Sequence, residues 1–464
     1  MRALLLTLLC TSACAPLIAG TSRVLPPALQ YDPASFAGQP MEREPAAPSK
    51  LMLTNGVEVL WTATPADPLV DVSVLVGCGR TDDAVGAPEL TSLALRSALS
   101  LGTETLTPAG QQSAFERLGV DFSLEVDDGD AAIHLVVPRA NLVAAMALLN
   151  DSLAAPRFDS LVFERLREKL AVAIAANVSQ PEFGLVSLMR QAVTSKGSAL
   201  GQRESAEAIR AMTLGAVRAQ ADRCLQPANL VVALTGDLDA EAVREALGGL
   251  AARPRGARVI HPPPPPAPTT QQVWLSPELH GSRVDVIIVG RTPALAPVDR
   301  ITGEVLATVL VSLVHYDLRE VVGHVYSVSA DVETGPGFGT VYVKFSTRAD
   351  KAVESVRRVL AELRRWWTNW PVSPQVVESA RHALSNAGAR RPVQAQTLKS
   401  ARRQLRDGTA FDARPWARQL DDVRAHHVAD LFVLAFPPGR LQVVVTGALG
   451  SPRDWAAFGA LTAP

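Results

Sequence analysis

Pro227-Ala228-Asn229-Leu230-Val231-Val232-Ala233-Leu234-Thr235-Gly236-Asp237-Leu238 is answered near the end of the chain by Pro438-Gly439-Arg440-Leu441-Gln442-Val443-Val444-Val445-Thr446-Gly447-Ala448-Leu449. Leu230 and Leu441, which open the two apolar runs, stand 211 residues apart. Each run is short, rich in valine and closed by Thr-Gly, the signature of a buried strand ending in a turn. Outward from these phrases, Val70-Asp71-Val72-Ser73-Val74-Leu75-Val76-Gly77 is echoed by Val284-Asp285-Val286-Ile287-Ile288-Val289-Gly290. Arg-Thr soon follows both, as Arg80-Thr81 and Arg291-Thr292. Between the outer echoes, Arg139-Ala140-Asn141 matches Arg348-Ala349-Asp350 at a separation of 209. Three echoes in one order and at similar separations describe a duplicated unit. The run His261-Pro262-Pro263-Pro264-Pro265-Pro266-Ala267-Pro268 lies between the copies and reads as an extended polyproline linker.

The interior of each copy reads the same way. Residues 120–126, the turn Asp127-Asp128-Gly129-Asp130 and residues 131–137 predict a β-hairpin, because apolar strand formers flank a turn-forming cluster. The second copy repeats this with strands over 325–332 and 340–345 around a glycine-rich loop, 335–339. Apolar residues at three- and four-residue intervals predict helices over 142–153 and 352–366 after the hairpins. A further helix leads into each Thr-Gly strand, ending near Cys224 and Phe436. Hairpins and strands interrupted by long amphipathic helices define an α+β class: two homologous halves, each a largely antiparallel sheet covered by helices.

Composition limits what such a chain does. Its 464 residues allow about three domains of ordinary size or two large ones. Hydrophobic residues make up 47% and mean hydropathy is +0.13, which excludes a disordered chain. The 45 Lys and Arg balance 46 Asp and Glu, so there is no cationic field for a nucleic acid. Met1-Arg2, an apolar run over 4–9 and small residues after it follow the order of a secretory signal. Thr11-Ser12-Ala13-Cys14 resembles a bacterial lipobox, with Thr11 where leucine is usual, and makes Cys14 the lipidation candidate. The alternative is an ordinary cleaved signal with incidental cysteines. Ala15 after Cys14 favours an outer-membrane destination by resemblance to enterobacterial sorting. No other stretch offers the 18 to 20 or so continuous apolar residues of a membrane span. The expected layout is a signal over 1–14, a Pro/Ala-rich tether over 15–48, one half over 49–256, a linker over 257–270 and the second half over 271–464. Cys78 and Cys224 remain; an oxidising compartment permits a disulfide between them, and their spacing does not require one.

Leu53-Thr54-Asn55-Gly56-Val57-Glu58-Val59, Leu118-Gly119-Val120-Asp121-Phe122-Ser123 and the phrase from Pro227 to Leu238 together resemble the insulinase/pitrilysin superfamily of zinc peptidases, in particular its mitochondrial-processing-peptidase-like branch. The resemblance covers residues 50 to 450 and implies the LuxS/metalloprotease-like metallohydrolase fold. It also implies that the heptapeptide over 53–59 is the first strand. Active members carry HxxEH on the helix before a Gly-Thr, since histidines at i and i+4 share a helical face and hold Zn²⁺ while the glutamate acts on bound water. Counted back from Gly102-Thr103, that stretch here is Leu93-Ala94-Leu95-Arg96-Ser97, with neither imidazole nor carboxylate. The distal glutamate of the family would fall at Leu170-Ala171-Val172-Ala173-Ile174, which is equally bare. No catalytic residue, metal ligand or cofactor is therefore assigned, and zinc is expected only in a partner subunit.

Chemistry elsewhere finds no motif. None of the eight histidines pairs with another at i,i+4, His426-His427 project from different helical faces, and no G-x-S-x-G or phosphate-binding loop occurs. The segment Leu318-Arg319-Glu320-Val321-Val322-Gly323-His324-Val325-Tyr326-Ser327 resembles the "LR-E-x-x-G-x-x-Y" stretch with which non-catalytic subunits present an Arg and a Tyr to a shared chamber. The resemblance makes Arg319 and Tyr326 the substrate-binding candidates: a guanidinium supplies fixed donors for carbonyls or carboxylates, and a phenol adds a donor beside an apolar ring. The competing reading is that Arg319 pairs with Glu320 and Tyr326 packs in a strand. His324 is a further candidate for the chamber wall. The implied function is a non-catalytic, substrate-binding and chamber-closing subunit of an envelope zinc peptidase. Its partners would be an HxxEH-bearing subunit and an extended peptide or unfolded polypeptide, with the membrane reached only through the N-terminal lipid. The alternative is an envelope peptide-binding or scaffold protein on the same fold.

Overall fold

The computed structural model describes residues 48–178, 181–194, 197–276, 283–389, 391–407, 419–447 and 457–459, all within one compact unit that spans Pro45–Pro464. Cys14, the signal and nearly all of the tether lie outside the described residues. The first half contains β1 (Ser49–Met52), β2 (Glu58–Ala63), β3 (Leu69–Val76), α1 (Leu90–Ser100), α2 (Pro108–Arg117), β4 (Asp121–Val126) and β5 (Ala131–Pro138). It continues with α3 (Leu142–Ala154), α4 (Ser160–Val178), α5 (Pro181–Val193), α6 (Ala206–Arg210), α7 (Leu214–Cys224), β6 (Leu230–Gly236), α8 (Ala240–Ala246) and α9 (Gly248–Ala251). The second half contains β7 (Gln272–Ser276), β8 (Arg283–Pro293), α10 (Pro297–His315), β9 (Val325–Gly335), β10 (Phe338–Arg348), α11 (Ala349–Thr368), α12 (Pro374–Ala389), α13 (Val393–Asp407), α14 (Ala425–Ala435) and β11 (Gln442–Gly447).

The strand orders carry the duplication. The first sheet runs β1-β2-β6-β3-β5-β4 and the second β7-β11-β8-β10-β9. Removing β1 leaves the same order with equivalent strands in equivalent places. In both, the strand of the Thr-Gly phrase pairs parallel to one neighbour, β2 or β7, and antiparallel to the other, β3 or β8. All remaining pairs are antiparallel. Two local expectations are corrected. The heptapeptide over 53–59 is not one strand: Asn55-Gly56, with Gly56 at φ +85°, turns β1 into β2 and only Glu58 and Val59 are strand. The glycine-rich loop is shorter than read, because Gly335 and Phe338 still pair and only Pro336-Gly337 turn.

Helices form where apolar spacing and caps coincide. In α11, Ala352, Val356, Val359, Leu363 and Trp366 bury one stripe while arginines and acids hold the other face. Thr107, Thr213 and Asp239 cap α2, α7 and α8 with their side-chain oxygens. From Asp299 to Val321, α10 and its continuation have the length and apolarity of a membrane span, with more than half of the span buried in the fold. Here it is a core helix, with Val305, Leu306, Val309, Leu310 and Val314 packed against the second sheet.

Each sheet has two covered faces, and the cover of the inner face is exchanged between the halves. On the first sheet Val70, Val72, Val74 and Val76 of β3 turn toward α1, α3 and α7. The opposite face, with Leu60, Leu75, Ala132, Val231 and Ala233, receives Ala401 and Leu405 of α13, a helix of the second half. Thr397 of α13 bonds the Thr62 and Thr235 hydroxyls at 2.8 and 3.2 Å. Reciprocally, α5 of the first half lays Leu185, Met189 and Val193 on Ile287, Val289 and Val444 of the second sheet. Full burial of each large aliphatic side chain is worth about 2 kcal/mol, so the exchanged helices lock the halves together. The hairpin turns also meet: a Cβ on Gly129 would stand 2.7 Å from Pro336 Cδ, which reserves that position for glycine.

Candidate functional site

Helix α10 does not stop at His315 but runs into a single π turn, Tyr316–Val321, that widens the helix and re-aims its last side chains. Leu318, fully buried, anchors the turn. Gly323 at φ +67° ends it, with its N–H bonded to the Arg319 carbonyl at 3.1 Å, and His324 N–H reaches the Leu318 carbonyl at 2.7 Å. Two residues later the chain is in β9, an edge strand. This reversal brings Arg319 and Tyr326 together. Arg319 Nη1 donates to the Tyr326 carbonyl at 3.0 Å, and its Cζ lies 4.9 Å from the Tyr326 ring centroid, a cation–π distance. Tyr326 is 81% exposed rather than packed in the strand, and the Arg319 to Glu320 pair is loose at 3.7 Å with both side chains about half exposed. His315 Nε2 is 3.5 Å from Arg319 Nη1. The arrangement is a solvent-facing plate of ring and guanidinium with a strand edge beside it.

His324 takes no part in that plate. Its side chain is nearly buried against α11, with Nδ1 3.1 Å from Ser355 Oγ and Nε2 3.7 Å from Glu354. Histidine, serine and glutamate thus stand in relay order, yet Ser355 is fully buried and donates its hydroxyl to the Lys351 carbonyl at 2.8 Å. A second such trio spans three strands: Ser73 Oγ is 2.8 Å from His134 Nδ1, and His134 Nε2 is 3.6 Å from Glu125. Ser73 sits in mid-strand, paired with His134 on one side and Ala233 on the other, so its neighbouring amides belong to the ladder and none is free to serve an oxyanion. Glu125 is committed as well: the His134 bond, aided by Arg402 at 2.7 Å, holds its carboxyl down to about 2. Neither trio has the parts of a hydrolase. No motif spacing announces either trio, since each histidine meets its partners only through the fold, across strands in one case and from the start of β9 to α11 in the other.

Helix α1 carries the segment aligned with HxxEH. It starts from an unusual cap: Glu89 is left-handed at φ +68°, and Asp83 accepts the N–H groups of Glu89 and Thr91 at 2.9 and 2.7 Å. Burial pushes the Asp83 carboxyl up to about 7 against those bonds. Leu93, Ala94, Leu95 and Ser97 are buried, and the leucines and alanine join one core with Ala171 and Ile174 of α4. Arg96 alone is exposed and bonds Ser92 Oγ at 3.3 Å. An aliphatic core with one arginine offers no donor set for zinc. Among the described residues no group of three His, Cys, Asp or Glu converges that could hold a metal ion. Close by, Cys78 and Cys224 are joined in a disulfide that ties the end of β3 to the end of α7. The buried Asp82 beside it takes the first residue of the proline run, His261, at 3.0 Å.

The interior junction of the halves is charged. Arg402 and Arg406 of α13 grip the acidic turn of the first hairpin, Arg402 Nη1 to Asp127 at 3.2 Å and Arg406 Nε to the fully buried Asp130 at 2.5 Å. Arg190 of α5 bonds Asp128 at 2.8 Å. Facing them, Glu333 of β9 is solvent-exposed as a residue, yet the protein around its carboxyl and the nearby Asp128 carboxylate push that carboxyl up to about 7. The Tyr342 hydroxyl, raised by burial and by Glu333 and Asp331, lies 3.4 Å from Glu333.

Residues 211–384, from the approach to α7 through most of α12, match the family model described as the peptidase M16 inactive domain. The fold is similar to that of a peptidase M16 inactive domain from Pseudomonas fluorescens, with a TM-score of 0.75 and 16% identity over 86% of this chain and 97% of that one. A protease from Helicobacter pylori gives a TM-score of 0.72 and 13% identity over 87% and 100% of the two chains. A chain of complex III2 from Candida albicans, with Inz-5 bound, gives 0.68 and 15% over 88% and 99%. No curated protein matches the chain significantly. At these identities the structural likenesses establish the fold.

Proposed function

We propose that the chain is an insulinase-like homologue of the non-catalytic type, as the match of residues 211–384 to the peptidase M16 inactive-domain model supports, and that it is the substrate-binding and chamber-closing subunit of a heterodimeric zinc peptidase of the bacterial cell envelope. The observation that carries this reading is a contrast within one molecule. The α1 segment aligned with the zinc motif has been given over to the core, while Arg319 and Tyr326 stand stacked and exposed at a strand edge. The stack and the Arg319 bond to the Tyr326 carbonyl present the pair to solvent in one fixed arrangement. An Arg fork beside a phenol suits peptide carbonyls, and a neighbouring strand edge suits an extended main chain. The catalytic zinc then belongs to an HxxEH-bearing partner, and the substrate is a peptide or unfolded polypeptide.

Export and attachment through Cys14 complete the proposal. The disulfide between two buried cysteines supports an oxidising compartment. The test is co-expression of the full-length chain with an HxxEH relative from the same source, followed by co-purification and a peptide-cleavage assay of each chain alone and of the pair. Activity that requires both chains is expected. Failure of the two to associate would favour the scaffold reading, and cleavage by this chain alone would refute the non-catalytic assignment.

A further inference from the structure

One face of α11 holds both the π turn Tyr316–Val321 and the residue that opens β9. Arg358 grips Asp317 with two arms of its guanidinium, Nε on one carboxylate oxygen and Nη2 on the other, each at 2.6 Å. Such a fork fixes orientation as well as distance. One turn earlier on the helix, Ser355 Oγ meets His324 Nδ1 at 3.1 Å. Ser355 spends its only hydroxyl proton on the Lys351 carbonyl at 2.8 Å, so toward the ring its oxygen accepts and Nδ1 carries the proton. The backbone of His324 is fixed at the same point: its N–H bonds the Leu318 carbonyl at 2.7 Å, and its carbonyl accepts from Thr347 Oγ1 of β10 at 2.8 Å. Ser355 and Arg358, three residues apart, are neighbours on the helix surface. Arg319 follows Asp317 by two residues, and Tyr326 follows His324 by two. Each member of the exposed plate is therefore two residues from a side chain seated on α11.

We propose that Arg358 and Ser355 are positioning residues for the substrate grip: α11 sets where Arg319 and Tyr326 stand by holding Asp317 and His324. The inference rests on the substrate-gripping reading above and adds what keeps that site in place. The plate's own contacts, the bond to the Tyr326 carbonyl at 3.0 Å and the stack at 4.9 Å, join its two members to each other and not to the core. Leu318 anchors the turn, but apolar burial is non-directional and sets depth without setting aim. Hydrogen bonds are directional, and the Arg358 fork and the His324 seat supply the aim. A binding constellation has to be held within about 0.5 Å by neighbours whose own geometry is locked. Helix α11 meets that condition because its opposite stripe, with Val356, Val359 and Leu363, is rooted in the second core.

The test reads the plate and the chemistry separately. The full-length chain has four tyrosines, so fluorotyrosine labelling gives a simple fluorine NMR spectrum in which Tyr326→Phe assigns the Tyr326 signal. Arg358→Ala and Ser355→Ala should each shift or broaden that signal, as Arg319→Ala does, while the Tyr342 signal stays in place and unfolding remains cooperative. In the reconstituted pair with the HxxEH subunit, Arg358→Ala should raise KM about fivefold and change kcat by less than about twofold, the pattern of lost substrate binding. Arg358→Lys keeps the charge without the fork and should fall between parent and alanine in both readouts. A Tyr326 signal unmoved by both Arg358→Ala and Ser355→Ala would overturn the inference. So would parent-like kinetics in Arg358→Ala where Arg319→Ala is impaired. If the parent pair cleaves nothing, the gripping reading falls, and the fluorine spectrum alone decides the positioning: a moved Tyr326 signal upholds it and an unmoved one ends it.

Discussion

Arg406 Nε donates to the Asp130 carboxylate at 2.5 Å, joining two residues 276 positions apart and tying helix α13 of the second half to the hairpin turn of the first. Asp130 is fully buried and Arg402 Nε lies 3.2 Å from its other oxygen, so one carboxylate serves two guanidinium groups. Removing the acceptor of such a pair leaves charge desolvated without compensation. Asp130→Ala should therefore cost about 3 kcal/mol of stability in urea unfolding. A double-mutant cycle with Arg406→Ala should give a coupling of at least about 1 kcal/mol. Additive losses would mean that the turn is held by its neighbours and not by this pair.

The Cys78–Cys224 disulfide closes a sequence separation of 146 residues and binds the end of β3 to the end of α7, both inside the first core. A crosslink over so long a loop restricts the unfolded chain strongly, and its removal should cost about 3 kcal/mol. Urea midpoints with and without reductant, and of the double variant Cys78→Ala/Cys224→Ala, measure it. The reduced parent and the double variant should fall together. A midpoint indifferent to reductant would show that the bridge adds nothing to stability.

Much of this architecture was legible because the information was local or repeated. The Thr-Gly phrases became β6 and β11, equivalent strands in equivalent sheets, since a repeated sequence of strand formers needs no knowledge of its neighbours. Arg319 and Tyr326 also meet through a local reversal, seven residues long. The exchange of α5 and α13 could not be read: an apolar stripe states that a helix buries a face, not which sheet receives it. The Ser73, His134 and Glu125 trio was hidden for a similar reason, because strand register created it. The turn at Asn55-Gly56 did have a signal, as Asn-Gly is a strong hairpin former, but reading the heptapeptide as a family strand overrode it.

Glu333 makes stability depend on pH with a definite sign. Its carboxyl is raised in the fold to about 7 from an ordinary value of 4.5. Between those values the folded state keeps a proton that the unfolded state has lost, so stability falls as pH rises from 4.5 to 7 and stays low above. Asp83, raised to about 7 by burial, acts in the same direction. Glu125, held down to about 2, acts in the opposite sense and matters only as pH drops below 4.5. Glu333→Gln should leave the melting temperature nearly unchanged at pH 5 and raise it at pH 8, with a difference that grows between them. Parallel melting curves for parent and variant across that range would show that Glu333 titrates normally.

The Arg319 and Tyr326 plate separates two kinds of contact that one alanine scan would confuse. The guanidinium both stacks on the ring and donates to the Tyr326 carbonyl. Arg319→Ala thus loses a fixed fork of donors and the stacking partner together, and peptide turnover by the reconstituted pair should drop by at least tenfold in kcat/KM. Tyr326→Phe keeps the ring and the stack and loses only the hydroxyl. If the phenol donates to substrate, a loss of severalfold should appear mainly in KM, since one neutral hydrogen bond contributes about 1 kcal/mol. Arg319→Lys retains charge without the planar fork and should behave more like Arg319→Ala than like the parent. Because Tyr326 is 81% exposed, the melting temperatures of all three should stay close to that of the parent. Unchanged kinetics in Arg319→Ala and Tyr326→Phe would remove the substrate-gripping role, and a large loss of stability in either would reassign the pair to holding the turn between α10 and β9.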